Sequence, residues 1–103
     1  MSKPDSSFNV LLLPCDTWKP ADTDSLRTKL NGRPVQVHVG EEPEYLPGMD
    51  YLFVAVGEKI NFPLLQIMGE AARGRNVEIL YAEASPDAIA GRLGRLFEPQ
   101  AQA

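Results

Sequence analysis

The sequence predicts one α/β domain of three layers, built on a four-stranded, mainly parallel sheet with strand order 2-1-3-4. Two observations carry this. Segments 8–14 (FNVLLLP) and 51–57 (YLFVAVG) are continuously apolar, as strands covered on both faces must be, whereas 34–39 (PVQVHV) alternates and 77–83 (VEILYAE) begins and ends with an acid. The first pair therefore belongs at the centre of the sheet and the second pair at its edges. Between the strands lie amphipathic segments of helical period, in the order β-α-β-β-α-β-α.

Each element has its own local signal. Strand 8–14 leads into a helix predicted over 23–31 (TDSLRTKLN), which places Leu26 and Leu30 on one face and stops at Asn31-Gly32. The second strand, 34–39, shows Val35, Val37 and Val39 on one side and Gln36 and His38 on the other, so His38 points to the polar face of an edge. Segment 40–50 (GEEPEYLPGMD) must then carry the chain across the first strand without a full helix. Ten extended residues reach at most ~33–36 Å, enough for a bare crossover or one with a single turn. An antiparallel second strand is the alternative.

After strand 51–57, a helix over 62–73 starts behind an Asn61 cap, carries Leu64, Met68 and Ala71 as its apolar stripe, and ends before Gly74. The last helix has the clearest start, with Ser85 as cap, Pro86 in the first helical position and Asp87 against the positive end of the helix dipole. Ile89, Leu93, Leu96 and Phe97 are its expected core face. The architecture is flavodoxin-like, within the wider Rossmann-like class. Residues 8–97 form this single domain, and the tails 1–7 (MSKPDSS) and 98–103 (EPQAQA) lack an apolar pattern and are expected to fray.

Composition narrows the function. A chain of 103 residues, 44% hydrophobic and 23% charged, can bury one core without metal or disulfide support. The net charge of −4 argues against a general nucleic-acid binder, because phosphate affinity rests on clustered Lys and Arg. Here Arg73, Arg75, Arg92 and Arg95 are the nearest approach to a cluster, and they read as solvated helix positions. One cysteine forms no internal disulfide, and the start of the chain has no long apolar run, so the expected location is cytoplasmic, with no membrane contact.

In an open parallel sheet, ligands bind beyond the carboxyl ends of the strands where the winding reverses. That rule selects two loops, 14–22 (PCDTWKPAD) and 57–61 (GEKIN). The candidate ligand- or partner-binding residues are therefore Cys15, Asp16, Trp18, Lys19, Gly57, Glu58, Lys59 and Asn61. The first loop has no glycine, and Asp22 and Asp24 open the helix after it, which disfavours a phosphate cradle. One cysteine and one histidine are too few for a nitrogen and sulfur metal site, so no metal and no cofactor are expected.

Single residues in these loops have a plain and a chemical reading. Cys15 reads as a small packed residue closing the first strand; as a nucleophile it would adjoin Asp16, which opposes thiolate formation. Trp18 either folds back over the core or presents its ring to a partner. Glu58 and Lys59 read as a charged turn, with a catalytic pair as the alternative.

Two resemblances add possibilities. The stretch MDYLFVAVGEKINFPLLQIMGEAARGRNVEIL, about a third of the chain, resembles the second half of nucleoside deoxyribosyltransferase-like and related TIR-like domains, with an acid-led apolar strand, a helix and a Gly-ended Ala-rich segment. The resemblance implies a nucleotide- or sugar-like ligand. Aligned on Gly74 and Val77, it places Gln66 where that family has its catalytic glutamate, with Glu70 one helical turn on. Cys15, at the end of the first strand, is similar to the phosphorylated cysteine of sugar-transport IIB proteins, although CDTWKPAD lacks their small-residue phosphate loop.

The sequence thus points first to a non-enzymatic interaction or regulatory module, with a protein partner or homodimer. The valine-rich edge at 35–39 and the shallow helix face at Gly91 and Gly94 are the candidate contacts. A small nucleotide- or sugar-binding domain or enzyme is the rival, and a cysteine phospho-carrier the weaker one.

Overall fold

The computed structural model describes residues 8–59 and 61–97. The two tails expected to fray lie outside those residues. The elements are β1 (Phe8–Leu13), α1 (Pro20–Lys29), β2 (Val35–Val39), a 3-10 turn (Pro43–Tyr45), β3 (Tyr51–Val56), α2 (Phe62–Gly74), β4 (Glu78–Glu83) and α3 (Pro86–Phe97). They build one four-stranded sheet in the order β2-β1-β3-β4. Every pairing is parallel, β2 included: Val10 lies opposite Val37 on one side and Tyr51 on the other, and Phe53 lies opposite Leu80. The antiparallel alternative for β2 is thereby excluded.

The continuous apolar runs are explained by the two cores. Val10, Leu12 and Phe53 face α1 and α3, where they meet Leu26, Ile89 and Leu93. Leu11, Leu13, Leu52 and Val54 face the other way, against Met68 and Ala72 of α2 and Leu46 of the crossover. Central strands bury both alternating sets, so no polar residue interrupts them. Leu46 is fully buried although it lies in a loop. It is the crossover's anchor, filling on the α2 side the space that a full helix would otherwise cover. Tyr45 closes the same segment beside the end of β2, its ring so near Gly40 that a Cβ there would overlap it.

Helix boundaries differ from the sequence reading in instructive ways. α1 begins at Pro20 rather than Thr23, because Pro20 occupies the first turn, where its missing N–H costs nothing, and Asp22 turns back to accept the Lys19 N–H at 2.9 Å. α2 runs through Gly74, and it is Asn76, at φ 60°, that takes the left-handed conformation after the helix. α3 starts as expected, with Ser85 Oγ accepting the Ala88 N–H at 3.3 Å. Its core face is Ile89 and Leu93; Leu96 is 39% exposed at the end of the helix, and the side chain of Phe97 lies outside those described. Among the described residues no helix is long and apolar enough to cross a membrane.

The sheet's outer edges are not equivalent. Phe8 N–H donates to Pro34 O and Gly40 N–H to Leu12 O, so even-numbered residues of β2 turn their backbone groups toward β1 and odd-numbered ones toward the open edge. On that edge the Arg27 guanidinium covers the Val37 carbonyl, donating through Nη2 at 2.7 Å and Nε at 3.3 Å. His38 is half-buried rather than pointing freely outward, with Nε2 3.3 Å from Asn9 Oδ1.

Candidate functional site

The loop after β1 is folded by its own short-range bonds. Trp18 N–H donates to the Cys15 carbonyl at 3.1 Å, closing a turn that sends neighbouring side chains to opposite sides of the sheet. Trp18 goes to the α1 side, where its ring packs on the core and its indole N–H donates to Thr23 Oγ1 at 2.9 Å. Thr23 is 8% exposed, the one buried polar side chain among the described residues, and the indole is its partner. Of the two readings of Trp18, the fold-back is the one the structure adopts.

Cys15 goes the other way. Its thiol lies 3.1 Å from Thr17 Oγ1 and rests against Gly57 at the end of β3, where a Cβ would stand 2.6 Å from the sulfur. The two switch-point loops thus meet at Cys15 and Gly57, and a residue without a side chain is what allows the approach. Asn61 then starts α2, its Oδ1 accepting the Leu64 N–H at 3.1 Å.

Between these loops opens a cleft of about 400 Å³. Leu13, Val54, Val56, Leu64 and Leu65 form its apolar walls, and Cys15, Asp16, Lys59 and Asn61 stand around it with Glu41 and Tyr81. Four of the eight residues named from the sequence therefore line one cavity. Gly57 supports it from behind Cys15, and Glu58 is exposed and does not line it. Trp18 and Lys19 line a separate, shallower concavity on the α1 side with Thr23, Asp24, Arg27 and Val39.

Glu41 and Tyr81 were missed by sequence reasoning. Glu41 follows the carboxyl end of β2 with only Gly40 between, a signal usable only once β2 is known to be parallel. Tyr81 comes from the edge strand β4, where alternation turns it to the α2 side, half exposed. Its neighbours Leu80 and Ala82 face α1 and α3.

The cleft's chemistry follows from these groups. Asp16 and Glu41 are acidic and Lys59 is basic, and the ion pair among the described residues is elsewhere, between Lys29 and Asp87 at 2.7 Å. The α2 N-terminus offers little to a phosphate: Pro63 has no N–H, and the Leu64 N–H already serves Asn61. Cys15 has a hydroxyl beside it, but no histidine lines the cleft, and His38 is engaged with Asn9. Among the described residues no three of His, Cys, Asp and Glu are grouped to hold a metal ion.

At the opposite end of the sheet the phenol of Tyr51 is pushed above its ordinary value, first by burial and then by the charges of Glu78 and Asp50. Asp50 Oδ2 accepts the Asn9 N–H at 2.8 Å, which ties the crossover to the amino end of β1. At this end a concavity of about 400 Å³ lies beside the start of β2, lined by Leu30, Asn31, Arg33, Val35 and Gln36, away from the switch-point loops.

Compared with protein-family models, curated proteins and solved structures, the chain matches none, so neither resemblance drawn from the sequence has a match behind it.

Proposed function

We propose that this protein is a non-enzymatic cytoplasmic interaction or regulatory module that recognises its partner or ligand through the switch-point cleft. The observation that carries the reading is the cleft itself, which gathers Cys15, Asp16, Lys59 and Asn61 around apolar walls at the carboxyl ends of β1 and β3. The rim offers recognition groups of both signs, and among the described residues the hydrogen-bond partner of Cys15 is the Thr17 hydroxyl rather than a base. A single unpaired thiol suits a reducing compartment. Alkylation of Cys15 with N-ethylmaleimide fills the cleft and tests the reading. Binding of the partner should be lost in the alkylated protein and kept in Cys15→Ser exposed to the same reagent. Binding that survives alkylation places recognition elsewhere.

A second reading, a nucleotide- or sugar-binding domain or enzyme, is favoured by the cleft volume of about 400 Å³, which suits a small molecule better than a protein surface. Product analysis after incubation with nucleosides and sugar phosphates distinguishes it, since turnover lost on alkylation replaces the first reading with the second. The phospho-carrier reading has less behind it, because Asp16 adjoins the thiol and the loop forms no phosphate cradle.

A further inference from the structure

We propose that the occupant of the cleft is a zwitterion with a large apolar side chain, of the free α-amino acid class; this rests on the reading of the cleft as the recognition site. The argument comes from where the charges stand. Asp16 follows β1 and Glu41 follows β2, while Lys59 follows β3 and precedes the first turn of α2. With the strands ordered β2-β1-β3, the two loops that carry the carboxylates both lie to the β2 side of the loop that carries the ammonium. Neighbouring strands lie about 4.8 Å apart, so the carboxylate loops leave the sheet about one and two strand spacings from the Lys59 loop. None of the three charges is spent on an ion pair among the described residues.

A ligand of one sign answers only half of this arrangement. A phosphate ester meets Asp16 and Glu41 as like charges and finds, at the α2 N-terminus, only the Phe62 N–H, because Pro63 and Leu64 have none to give. A simple amine leaves Lys59 unanswered. An α-amino acid directs its ammonium to the carboxylates and its carboxylate to Lys59. Its side chain then lies against the half-buried Leu64 and Leu65 of α2, above the buried Leu13 and Val54. Binding of this kind is non-covalent, and Cys15 serves only as part of the wall.

The test is a titration of the ¹⁵N-labelled full chain with L-leucine and L-phenylalanine, alongside N-acetyl-L-leucine and L-leucinamide. The two amino acids should shift the amides of Cys15, Gly57, Lys59 and Leu64 saturably, and each capped compound should bind at least about tenfold more weakly, a loss of about 1.4 kcal/mol. Lys59→Glu, at an exposed position, should weaken leucine but not leucinamide. Capped compounds that bind as well as the free amino acids overturn the zwitterion and leave the cleft as a binding site. No shift of those amides by either amino acid at about 10 mM overturns the inference outright. The cleft reading itself falls separately, if partner binding is indifferent to alkylation of Cys15.

Discussion

The Cys15 thiol lies directly on the backbone of Gly57, close enough that a methyl group on Gly57 would stand 2.6 Å from Sγ and 3.1 Å from Thr17 Oγ1. This contact joins the two loops that define the cleft. Gly57→Ala should therefore force the first loop outward and destabilise the fold by about 1–3 kcal/mol, the usual range for overpacking. The double variant with Cys15→Ala should recover part of the loss, because the sulfur is the nearest obstacle. Urea denaturation of the four species measures the coupling, and additive losses would show that the two residues do not meet.

Cys15→Ser should cost less than about 1 kcal/mol. A buried hydroxyl without a partner would cost about 1–3 kcal/mol, but Thr17 Oγ1, 3.1 Å from the sulfur, supplies a partner. Cys15→Ser combined with Thr17→Val removes that partner and should show the larger penalty in the same denaturation experiment. Equal stability of the two variants would mean that the hydroxyl finds water instead.

Arg27→Ala should have two effects that Arg27→Lys shows only in part. Loss of the bonds to the Val37 carbonyl should cost about 1 kcal/mol, below the usual range for a charged donor because Arg27 is exposed. It also uncovers an acceptor on the β2 edge, beside Val39, which is 40% exposed. Sedimentation velocity across a concentration series should then show more self-association than in the wild type. Unchanged sedimentation would show that this edge is closed by more than Arg27.

The raised phenol of Tyr51 sets a pH dependence. Burial, Glu78 and Asp50 disfavour the phenolate in the folded state, so the folded pKa exceeds the unfolded value near 10.0. Below that pH both states keep the proton and the full stability is present. As the pH rises through and beyond it, the unfolded chain releases its proton first, and stability falls until the folded phenol ionises too. Urea midpoints between about pH 9 and pH 11 should drop further for the wild type than for Tyr51→Phe. Parallel curves would contradict the assignment to Tyr51.

The fold was legible in the sequence because burial on two faces leaves a mark that burial on one face does not. Val10 to Leu13 and Leu52 to Ala55 have no polar residue to spare, and that placed β1 and β3 at the centre. Periodicity places the start of α1 too late because its apolar residues, Leu26 and Leu30, come late; Pro20 and Asp22 build the first turn with no apolar periodicity to announce it. The site was half legible. The switch-point rule finds Cys15, Asp16, Lys59 and Asn61, since it needs only strand order. It could not separate them from Trp18, because which face a loop side chain takes depends on a partner, Thr23, that periodicity does not reveal.

The most direct test of the cleft as the recognition site is a ¹H–¹⁵N map of the full chain titrated with pools of amino acids, nucleosides, sugars and short peptides. Binding should move the amides of residues 15–17 and 57–59 together with Leu64 and Leu65, and alkylation of Cys15 should abolish the response. Saturable shifts confined to the β2 edge, to α3 or to the concavity beside Trp18, with the cleft amides unmoved, would contradict it.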